Sequence, residues 1–404
     1  MRARPVVVMK FGGTSVATDV GRAAITRRVT EALELDRAPV VVVSAMGRKG
    51  APYATDTLLG LVEGLPGDPL EHDLLASTGE IVSAVLVAHE LRAAGIAARA
   101  FTGPAAGIGT DGVFGSATVT DIHPGPLTAA IEAGEVPVVA GFQGMAPDGT
   151  LTTLGRGGSD TTACALGVAL DAETVEIYTD VDGVMSADPR TCGTAEVLDT
   201  IRADELFQLA RHGSGVVHTP AAEMALRSGL EIRVRNTYSD HPGTVVADIA
   251  AYQPRSVATA ISHVTGIARI RVTLPAAEGA PGHMAAQARV YRAMADAGVS
   301  LDMFTPACDT LIFTVPEESL DRGCQVLQIL ALSHEVLAGL AKVTLVGAGM
   351  HGVPGVMAHV AECLYDAGVD VLQTADSHTT ISVLVPAGDV ATAVAALHDG
   401  FQLS

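Results

Sequence analysis

Short runs of consecutive apolar residues alternate with stretches of helical periodicity through the first 247 residues. The runs at 40–43, 136–140 and 174–178 are continuous and rich in β-branched residues, which is typical of parallel strands buried on both faces. Residues 16–35 and 74–94 carry apolar side chains at helical spacing. The pattern predicts an α/β domain over residues 1–247, a three-layer αβα sandwich with a parallel sheet in the middle.

The pattern changes near residue 241, where His241-Pro242-Gly243 predicts a turn and residues 248–263 have the composition of a linker. Beyond the linker, residues 264–338 and 339–404 repeat one order of elements: strand, helix, Ala-Gly-Val and two further strands. This repetition predicts two ferredoxin-like α+β modules, β-α-β-β-α-β, whose boundaries can interleave. Such pairs bind small ligands between copies or only dimerise the protein, and the pattern leaves both interpretations open.

Composition narrows the class of protein. Apolar residues make up 48% of the 404 residues, enough for cores in two or three domains. The formal charge of -20 argues against a nucleic-acid partner, because such binding depends on Lys and Arg. No uninterrupted apolar run is long enough to span a bilayer. The five cysteines are scattered and lack Cys-x-x-Cys spacing, which favours free thiols in a reducing cytoplasm over disulfides or zinc.

The most informative motif is Lys10-Phe11-Gly12-Gly13-Thr14-Ser15, which lies between an apolar run and a helical stretch. Glycines let a backbone approach a bulky anion, helix amides point towards it, and Lys10 adds a positive charge. The chain has only three lysines, which makes this placement informative. The motif is not a Walker P-loop, because its Lys precedes the glycines. It predicts a phosphate site, with a purely structural turn as the alternative.

A second glycine turn, Gly155-Arg156-Gly157-Gly158-Ser159-Asp160, also precedes an apolar helix. The planar guanidinium of Arg156 suits a carboxylate or phosphate, and the Asp160 carboxylate suits Mg²⁺ among phosphate oxygens. Alternatively, Ser159 or Asp160 only caps the helix. Two such turns in one α/β domain indicate phosphoryl transfer.

Three weaker features follow strands or open a helix. Residues 179–190 come after the strand at 174–178, where α/β sheets place ligands, and Arg190 could reach a phosphate. Ser44 follows the strand at 40–43. Glu80 is expected in the first turn of a helix, either compensating the helix dipole or binding a substrate ammonium group. No Ser/His/Asp or Cys/His nucleophile set is evident, which fits a carboxylate acceptor that needs no general base.

Together these motifs resemble the aspartate kinases of the amino-acid kinase family, which carry paired C-terminal ACT domains. The matching stretches are residues 10–16, 44–50, 141–144, 153–163 and 179–190, in the family's order and spread over nearly the whole chain. Residues 44–56 and 375–381 are most similar to the diaminopimelate-sensitive bacterial form. The resemblance implies ATP-dependent phosphorylation of the L-aspartate β-carboxylate to 4-phospho-L-aspartate, the entry to lysine, diaminopimelate, threonine and methionine synthesis.

The resemblance also implies roles for individual residues. The catalytic residues would be Lys10, Arg156 and Asp160, and Asp160 would also help bind Mg²⁺. The nucleotide ATP would contact Lys10, Phe11, Gly12, Gly13, Thr179, Asp180, Met185, Ser186, Ala187, Asp188, Pro189 and Arg190. Aspartate would be held by Ser44, Glu80, Arg156, Gly157, Gly158 and Ser159. A feedback amino acid would bind among Ser300, Leu301, Asp302, Val356, Met357, Asp370, Val371, Ser377 and His378. The ACT pair implies a homodimer or higher homo-oligomer.

Two departures from the family pattern leave alternatives open. Gly215 replaces a lysine expected near the nucleotide, and Thr219-Pro220 replaces a Pro-Arg pair. Pro306 stands where lysine-sensitive relatives have glutamine, which argues against lysine as the effector. A related kinase for another acidic amino acid is one alternative. A non-catalytic regulatory subunit is the other, although the retained Lys10, Arg156 and Asp160 argue against it.

Overall fold

The computed structural model describes residues 4–247, 257–275, 282–307, 309–350 and 352–403, which form two compact units. The first unit runs to Val184 and also includes Val197–Arg211 and the described residues from Gly215 to 247. The second unit comprises Met185–Glu196, His212–Ser214 and the described residues beyond 256. Residues 248–256 of the predicted linker, and Cys308, lie outside the described residues.

Strands and helices of the first unit alternate as the apolar pattern predicts. Its strands are β1 (Val6–Phe11), β2 (Ala38–Val43), β3 (Ala98–Phe101), β4 (Ile108–Thr110), β5 (Val119–Ile122), β6 (Val136–Ala140), β7 (Gln143–Met145), β8 (Leu151–Thr153), β9 (Thr174–Thr179), β10 (Thr200–Arg202), β11 (Ile232–Asn236) and β12 (Thr244–Ala247). Its helices are α1 (Gly13–Ala17), α2 (Asp19–Glu34), α3 (Thr55–Gly60), α4 (Pro69–Ala93), α5 (Gly125–Glu132), α6 (Gly158–Ala169), α7 (Ala203–Arg211) and α8 (Thr219–Ser228), with a 3₁₀ turn at Pro104–Ala106.

An eight-stranded sheet in the order β10-β12-β11-β9-β1-β2-β6-β3 forms the middle layer. Its pairs are parallel except β11 with β12. The predicted strands at 40–43, 136–140 and 174–178 are confirmed as β2, β6 and β9, and they are buried almost throughout. A separate four-stranded sheet has the order β5-β4-β7-β8.

The alternation of side chains along β1 defines the two helical layers. Val7, Met9 and Phe11 pack into one core with α2 and α4. Because side chains alternate between the faces of a strand, Lys10 points to the opposite face, where α6 packs. This orientation determines which helix meets the only charged side chain of β1.

Two predicted helix boundaries are wrong. The single helix expected over 16–35 is two helices, α1 and α2, because Thr18 has extended backbone and its hydroxyl accepts a bond from the Gly21 amide, capping α2. The helix expected over 74–94 begins earlier, at Pro69. A capping box between Asp68 and Glu71 fixes that start.

Helix α4 is long and apolar enough to cross a membrane by length and composition alone. Half of its most apolar window is buried within the protein, and that helix carries the buried side chains of Asp73 and Glu80. A core helix of a globular domain meets the same criteria, so α4 is weak evidence for membrane insertion. The search of the sequence for uninterrupted apolar runs did not identify this helix, because polar residues lie among its apolar ones.

The second unit contains the remaining elements. Its strands are β13 (Ala260–Thr273), β14 (Asp302–Pro306), β15 (Thr310–Pro316), β16 (His334–Val346), β17 (Gln373–Asp376) and β18 (Thr380–Pro386). Its helices are α9 (Gly282–Asp296), α10 (Leu320–Ile329), α11 (Val356–Asp366) and α12 (Val390–Gly400), with 3₁₀ turns at Glu317–Ser319 and Ala387–Asp389. The strands form one sheet in the order β14-β15-β13-β16-β18-β17.

Two long strands, β13 and β16, are shared between the two predicted modules. Residues 267–273 of β13 pair with β15, whereas residues 260–265 pair with 341–346 of β16. The second half of β16 in turn pairs with β18. Strand β13 therefore supplies residues 267–273 to one module and residues 260–265 to the other. The two modules interleave, as the sequence analysis allowed. The predicted linker is wrong over residues 260–263, which belong to β13.

Candidate active site

Three parallel strands bring the predicted phosphate and substrate residues to one edge of the first sheet. Lys10 is level with Val42 of β2 and Ile177 of β9, so β1, β2 and β9 end side by side. The amide of Ser44 donates to the Phe11 carbonyl, and the Gly12 amide donates to the Tyr178 carbonyl. Gly12, Ser44 and Thr179 consequently lie at one carboxyl edge, where sheets of this kind bind ligands.

Lys10 forms an ion pair with Asp160 at the start of α6. The Nζ to Oδ1 distance is 2.7 Å, and the two side chains are 13% and 3% exposed. Asp160 also accepts a bond from the main-chain amide of His218 at 3.4 Å. Helix α6 begins after Gly157, whose backbone is left-handed, so Ser159 and Asp160 lie inside the first turn and neither is its N-cap residue. The capping interpretation of these two side chains is therefore wrong.

The two glycines after β1 differ in their surroundings. A Cβ on Gly13 would lie 2.4 Å from the Ala45 carbonyl oxygen and 2.8 Å from that of Gly47, so the close approach of two backbones requires glycine. A Cβ on Gly12 would meet nothing nearer than the Lys10 Nζ at 3.8 Å. Gly13 thus fixes the turn, whereas Gly12 leaves space beside the lysine.

The departure segment 213–221 lies partly against the second glycine turn. A Cβ on Gly157 would lie 2.1 Å from the His218 Cγ, so that side chain covers the start of α6. Sequence reasoning did not assign His218 to the site, and only tertiary contact reveals it. A Cβ on Gly215 would meet nothing within 4 Å, so the position that lacks the family lysine has open space. Thr219 and Pro220 form the first turn of α8.

Glu80 is buried in the middle of α4, not in the first turn of a helix as predicted. It is 3% exposed, and its Oε1 accepts a bond from the Ala45 amide at 3.1 Å. Its Oε2 is buried and has no hydrogen-bond partner among the described residues. Burial raises the pKa of Glu80 to about 7 despite the bond from Ala45. Helix-dipole compensation is therefore excluded, and the free oxygen suits a cationic ligand group.

Arg156 projects from the turn between β8 and α6. It is exposed, and within the described ranges its guanidinium has no hydrogen bond or ion pair. Gly157, Gly158 and Ser159 follow it into α6, where Gly158 and Ser159 are buried. A guanidinium that makes no hydrogen bond within the protein can bind a carboxylate through two parallel hydrogen bonds.

The predicted nucleotide residues separate into exposed and buried groups. Thr179 ends β9 and Asp180 follows it. Asp180 pairs with Arg48 at 3.0 Å, and both side chains are exposed. Met185 is half-buried, and Asp188 binds Arg190 with two bonds of 3.0 and 2.7 Å, which hold the pKa of Asp188 below its usual range. Pro189 is exposed.

Three predicted nucleotide side chains are buried and used in packing. Phe11 is fully buried and stacks on Tyr178 with ring centroids 4.6 Å apart. Ser186 Oγ lies 2.9 Å from Nε2 of His398 within the second unit. Ala187 is part of a core of that unit. The side chains of Phe11, Ser186 and Ala187 are therefore used in packing, which leaves only their main chains to contact a nucleotide.

The predicted effector residues divide between two places in the second unit. Val356, Met357 and Ser377 line a cavity of about 320 Å³ beside α11 and β17. The other lining residues are Met350, Gly352, Val353, Thr374, Ala375, Asp376 and Ile381. Asp370 and Val371 are exposed just before β17, and His378 is exposed just after it.

Ser300, Leu301 and Asp302 lie at the start of β14, in the other module. Asp302 pairs with Lys342, a lysine to which the sequence assigned no role. Although burial acts to raise it, the Lys342 ammonium holds the pKa of Asp302 below its usual range. The Asp302 carboxylate is thus already engaged by the protein.

Asp160 can supply one oxygen to a magnesium ion. The described residues contain no group of three or more His, Cys, Asp or Glu side chains placed to hold a metal. A single carboxylate still fits Mg²⁺, which keeps several waters and takes other oxygens from substrate phosphates. The donor set therefore fits a metal carried by a nucleotide rather than one bound by protein alone.

Comparison with known proteins identifies the family of the chain. Residues 5–236 match the model of the amino acid kinase family, and residues 335–399 match an ACT domain model. Aspartokinase 1 of Bacillus subtilis is 42% identical over 406 residues, 99% of each chain. The aspartokinase of Mycolicibacterium smegmatis is 38% identical over 98% of this chain and 96% of its own.

Solved structures give the same result. Escherichia coli aspartokinase III in complex with aspartate and ADP, the R-state, matches with a TM-score of 0.81 at 25% identity, over 98% of this chain and 100% of that one. The same enzyme with lysine and aspartate, the T-state, gives a TM-score of 0.77. The chain therefore belongs to the amino acid kinase family, with an ACT domain towards its carboxyl end. Within that family it is an aspartokinase, an allosteric enzyme that phosphorylates aspartate.

Proposed function

We propose that Lys10, the Gly12-Gly13 turn and the start of α6 transfer the γ-phosphoryl group of ATP to the β-carboxylate of L-aspartate. The observation that carries this assignment is the Lys10–Asp160 ion pair, which holds a nearly buried ammonium between two glycine turns. A fixed cation in a poorly hydrated place stabilises negative charge on a phosphoryl group in flight. The β-carboxylate is already ionised at neutral pH, so the attack requires positioning and no general base.

Aspartate would be held by groups on three elements. Glu80 accepts the substrate ammonium with its free oxygen, and Arg156 grips the α-carboxylate. The Ser44 and Ser159 hydroxyls and the amides of the Gly157-Gly158 turn complete the pocket. An incoming cation favours the ionised form of Glu80, which offsets the desolvation that raises its pKa. This pairing gives selectivity for an amino acid over a simple dicarboxylate.

The nucleotide would lie along the carboxyl edge of β1 and β9. Gly12, Gly13 and Lys10 would contact its phosphates, and Thr179 and Asp180 would line the rest. Asp160 would hold Mg²⁺, which would neutralise negative charge on the nucleotide phosphates. Lys10 then exchanges its bond to Asp160 for a phosphate oxygen.

Regulation would act through the second unit. A small amino acid fits the 320 Å³ cavity lined by Val356, Met357 and Ser377. The effector set proposed from the sequence also includes Ser300, Leu301, Asp302, Asp370, Val371 and His378. We further propose a cytoplasmic homodimer or higher homo-oligomer, acting at the first step of lysine, diaminopimelate, threonine and methionine synthesis.

Trapping the acyl phosphate with hydroxylamine tests the function directly. Purified protein is incubated with MgATP and L-aspartate, with and without lysine, threonine and meso-diaminopimelate. We expect aspartyl hydroxamate to form and one of these compounds to inhibit it. L-Glutamate in place of aspartate serves as the specificity control. Absence of hydroxamate from aspartate at all nucleotide concentrations would contradict the proposal.

Two substitutions separate the phosphate site from the substrate site. Lys10→Ala should lower kcat by at least about a hundredfold, since it removes a preorganised charge at the transferred group. Arg156→Ala should chiefly raise the aspartate KM and leave the ATP KM within about twofold. Steady-state kinetics in both substrates measures each effect. Undiminished turnover in Lys10→Ala would overturn the assignment of the phosphate site.

A further inference from the structure

Asp73 is a buried carboxylate that the proposed catalytic machinery does not use. It lies on α4 and is 3% exposed. Its oxygens accept bonds from the Thr153 amide at 2.7 Å, the Thr153 hydroxyl at 2.9 Å and the Gly115 amide at 3.0 and 3.1 Å. No Lys, Arg or His side chain of the described chain pairs with it. A buried carboxylate is costly unless its lone pairs are satisfied, and here three neutral donors satisfy them.

All three donors belong to segments beside Arg156. Thr153 is the last residue of β8 and stands three positions before Arg156. The carbonyl oxygen of Gly115 lies 3.2 Å from where a Cβ of Gly155 would be. The loop around Gly115, between β4 and β5, therefore supports the turn that carries Arg156. The guanidinium of Arg156 has no partner within the described part of the chain. Its position therefore depends on how firmly the backbone on either side is held.

The same helix face also holds the other wall of the proposed substrate pocket. Glu80 is seven residues after Asp73, or about two helical turns, so both side chains leave α4 on one side. Glu80 binds the amide of Ala45, next to Ser44, through one oxygen and keeps the other free. Asp73 has no free oxygen to offer a ligand, since both of its oxygens accept hydrogen bonds. One carboxylate is thus equipped to bind a ligand and the other to hold a loop.

We propose that Asp73 is a positioning residue for aspartate binding, which sets the place of Arg156 relative to Glu80. This inference rests on the proposed function of those two residues. Asp73 does not touch the substrate. It ties β8 and the loop around Gly115 to α4, so that the backbone that carries Arg156 keeps a fixed place relative to Glu80.

Asp73→Asn is the direct test, because an amide has one acceptor oxygen and cannot satisfy all three donors. We expect the aspartate KM to rise about tenfold, with kcat and the ATP KM changed less than about threefold. ADP binding measured by calorimetry without aspartate should be unchanged. Thr153→Val, which removes only the hydroxyl donor, should raise the aspartate KM by a few fold. If Asp73→Asn does not fold, the aspartate KM of Thr153→Val tests the proposal, and an unchanged value would overturn it.

A double-mutant cycle distinguishes positioning from general destabilisation. If Asp73 acts through Arg156, Asp73→Asn should have almost no further effect on the aspartate KM of Arg156→Ala. Asp68→Ala removes the N-cap of the same helix and should lower the melting temperature without moving that KM. An unchanged aspartate KM in Asp73→Asn, or an additive effect with Arg156→Ala, would overturn the inference. Wild-type protein that makes no aspartyl hydroxamate would instead overturn the proposed function.

Discussion

At the scale of single residues, Glu80 shows how a binding site can reduce the stability of its own fold. Its carboxyl has a pKa of about 7 in the folded chain, against 4.5 for a free side chain, because burial disfavours the charge. The folded state therefore holds a proton more tightly than the unfolded state. This contribution to stability is complete below pH 4.5 and is lost as the pH rises to about 7.

Glu80→Gln should therefore remove a pH-dependent cost. Between pH 5 and pH 8, wild-type stability should fall relative to that of the variant by up to about 3 kcal/mol, the equivalent of the shift in pKa. Thermal unfolding of both proteins across this range measures the difference. The aspartate KM of the wild type should rise below pH 7, because only the ionised carboxylate binds an ammonium. Parallel pH profiles for the two proteins would contradict the assignment.

Sequence reasoning at this scale is most informative where chemistry depends on local order. Lys10 near the end of a strand, followed after Phe11 by two glycines, predicts a phosphate site, and the structure places a nearly buried ammonium there. Phe11 and Ser186 were assigned to the nucleotide by position within motifs. Their side chains are instead buried against Tyr178 and His398, which lie 167 and 212 positions away along the chain. No local pattern encodes such contacts.

At the scale of elements, the turn from β1 to α1 combines one glycine required by packing with one that is not. Gly13 has no room for a Cβ, because the Ala45 carbonyl is too close. The space beside Gly12 opens towards the Lys10 ammonium, where phosphate oxygens would lie. The two neighbours should therefore respond differently to the same substitution.

Gly12→Ala should fold normally, with unfolding free energy within about 1 kcal/mol of wild type, and should raise the ATP KM several fold. Gly13→Ala should destabilise the first unit by roughly 2–3 kcal/mol through overpacking against fixed backbone. Chemical denaturation and ATP kinetics on both variants provide the comparison. Equal losses of stability in the two proteins would show that the turn is not divided in this way.

Helix positions were predicted better than helix boundaries. The apolar spacing of α4 identified a helix, but Glu80 was assigned to its first turn because the capping box at Asp68 and Glu71 was not recognised. The long helix predicted over 16–35 did not account for Thr18, whose side chain starts a new helix. Side-chain caps compete with helical periodicity, and a periodicity argument does not weigh them.

At the scale of the whole molecule, the second unit contains two modules that are not consecutive along the chain. Residues 260–265 complete the sheet of the module formed by β16, β17 and β18. The module containing α9, β14, β15 and α10 is inserted between them. Repeat analysis predicted two similar modules with boundaries that can interleave, but it did not locate the shared strands, because strand pairing over about 80 residues leaves no local signal.

This topology predicts that the inserted module can be removed without destroying the other. Thr265 is paired directly with Ala341 in antiparallel register, so a two-residue Asn-Gly turn can join them. A chain with 266–340 replaced by that turn should stay soluble and unfold cooperatively. Truncation after residue 339 should instead leave the apolar face of 260–265 unpaired and cause aggregation. Size-exclusion chromatography and circular dichroism compare the two, and the opposite pattern would contradict the assigned pairing.

The shared strands also impose an order on synthesis. As the chain leaves the ribosome, residues 267–340 can pair among themselves before the rest of the second unit exists. The segment 260–265 emerges earlier and has no partner until residues 341–346 follow it, some 80 codons later. Ala260 and Ile261 are buried in the folded protein, and during that interval they would be exposed to solvent. Synthesis of the inserted module thus delays the pairing of residues 260–265. Slow translation between codons 266 and 340 would prolong the time during which this strand is unpaired.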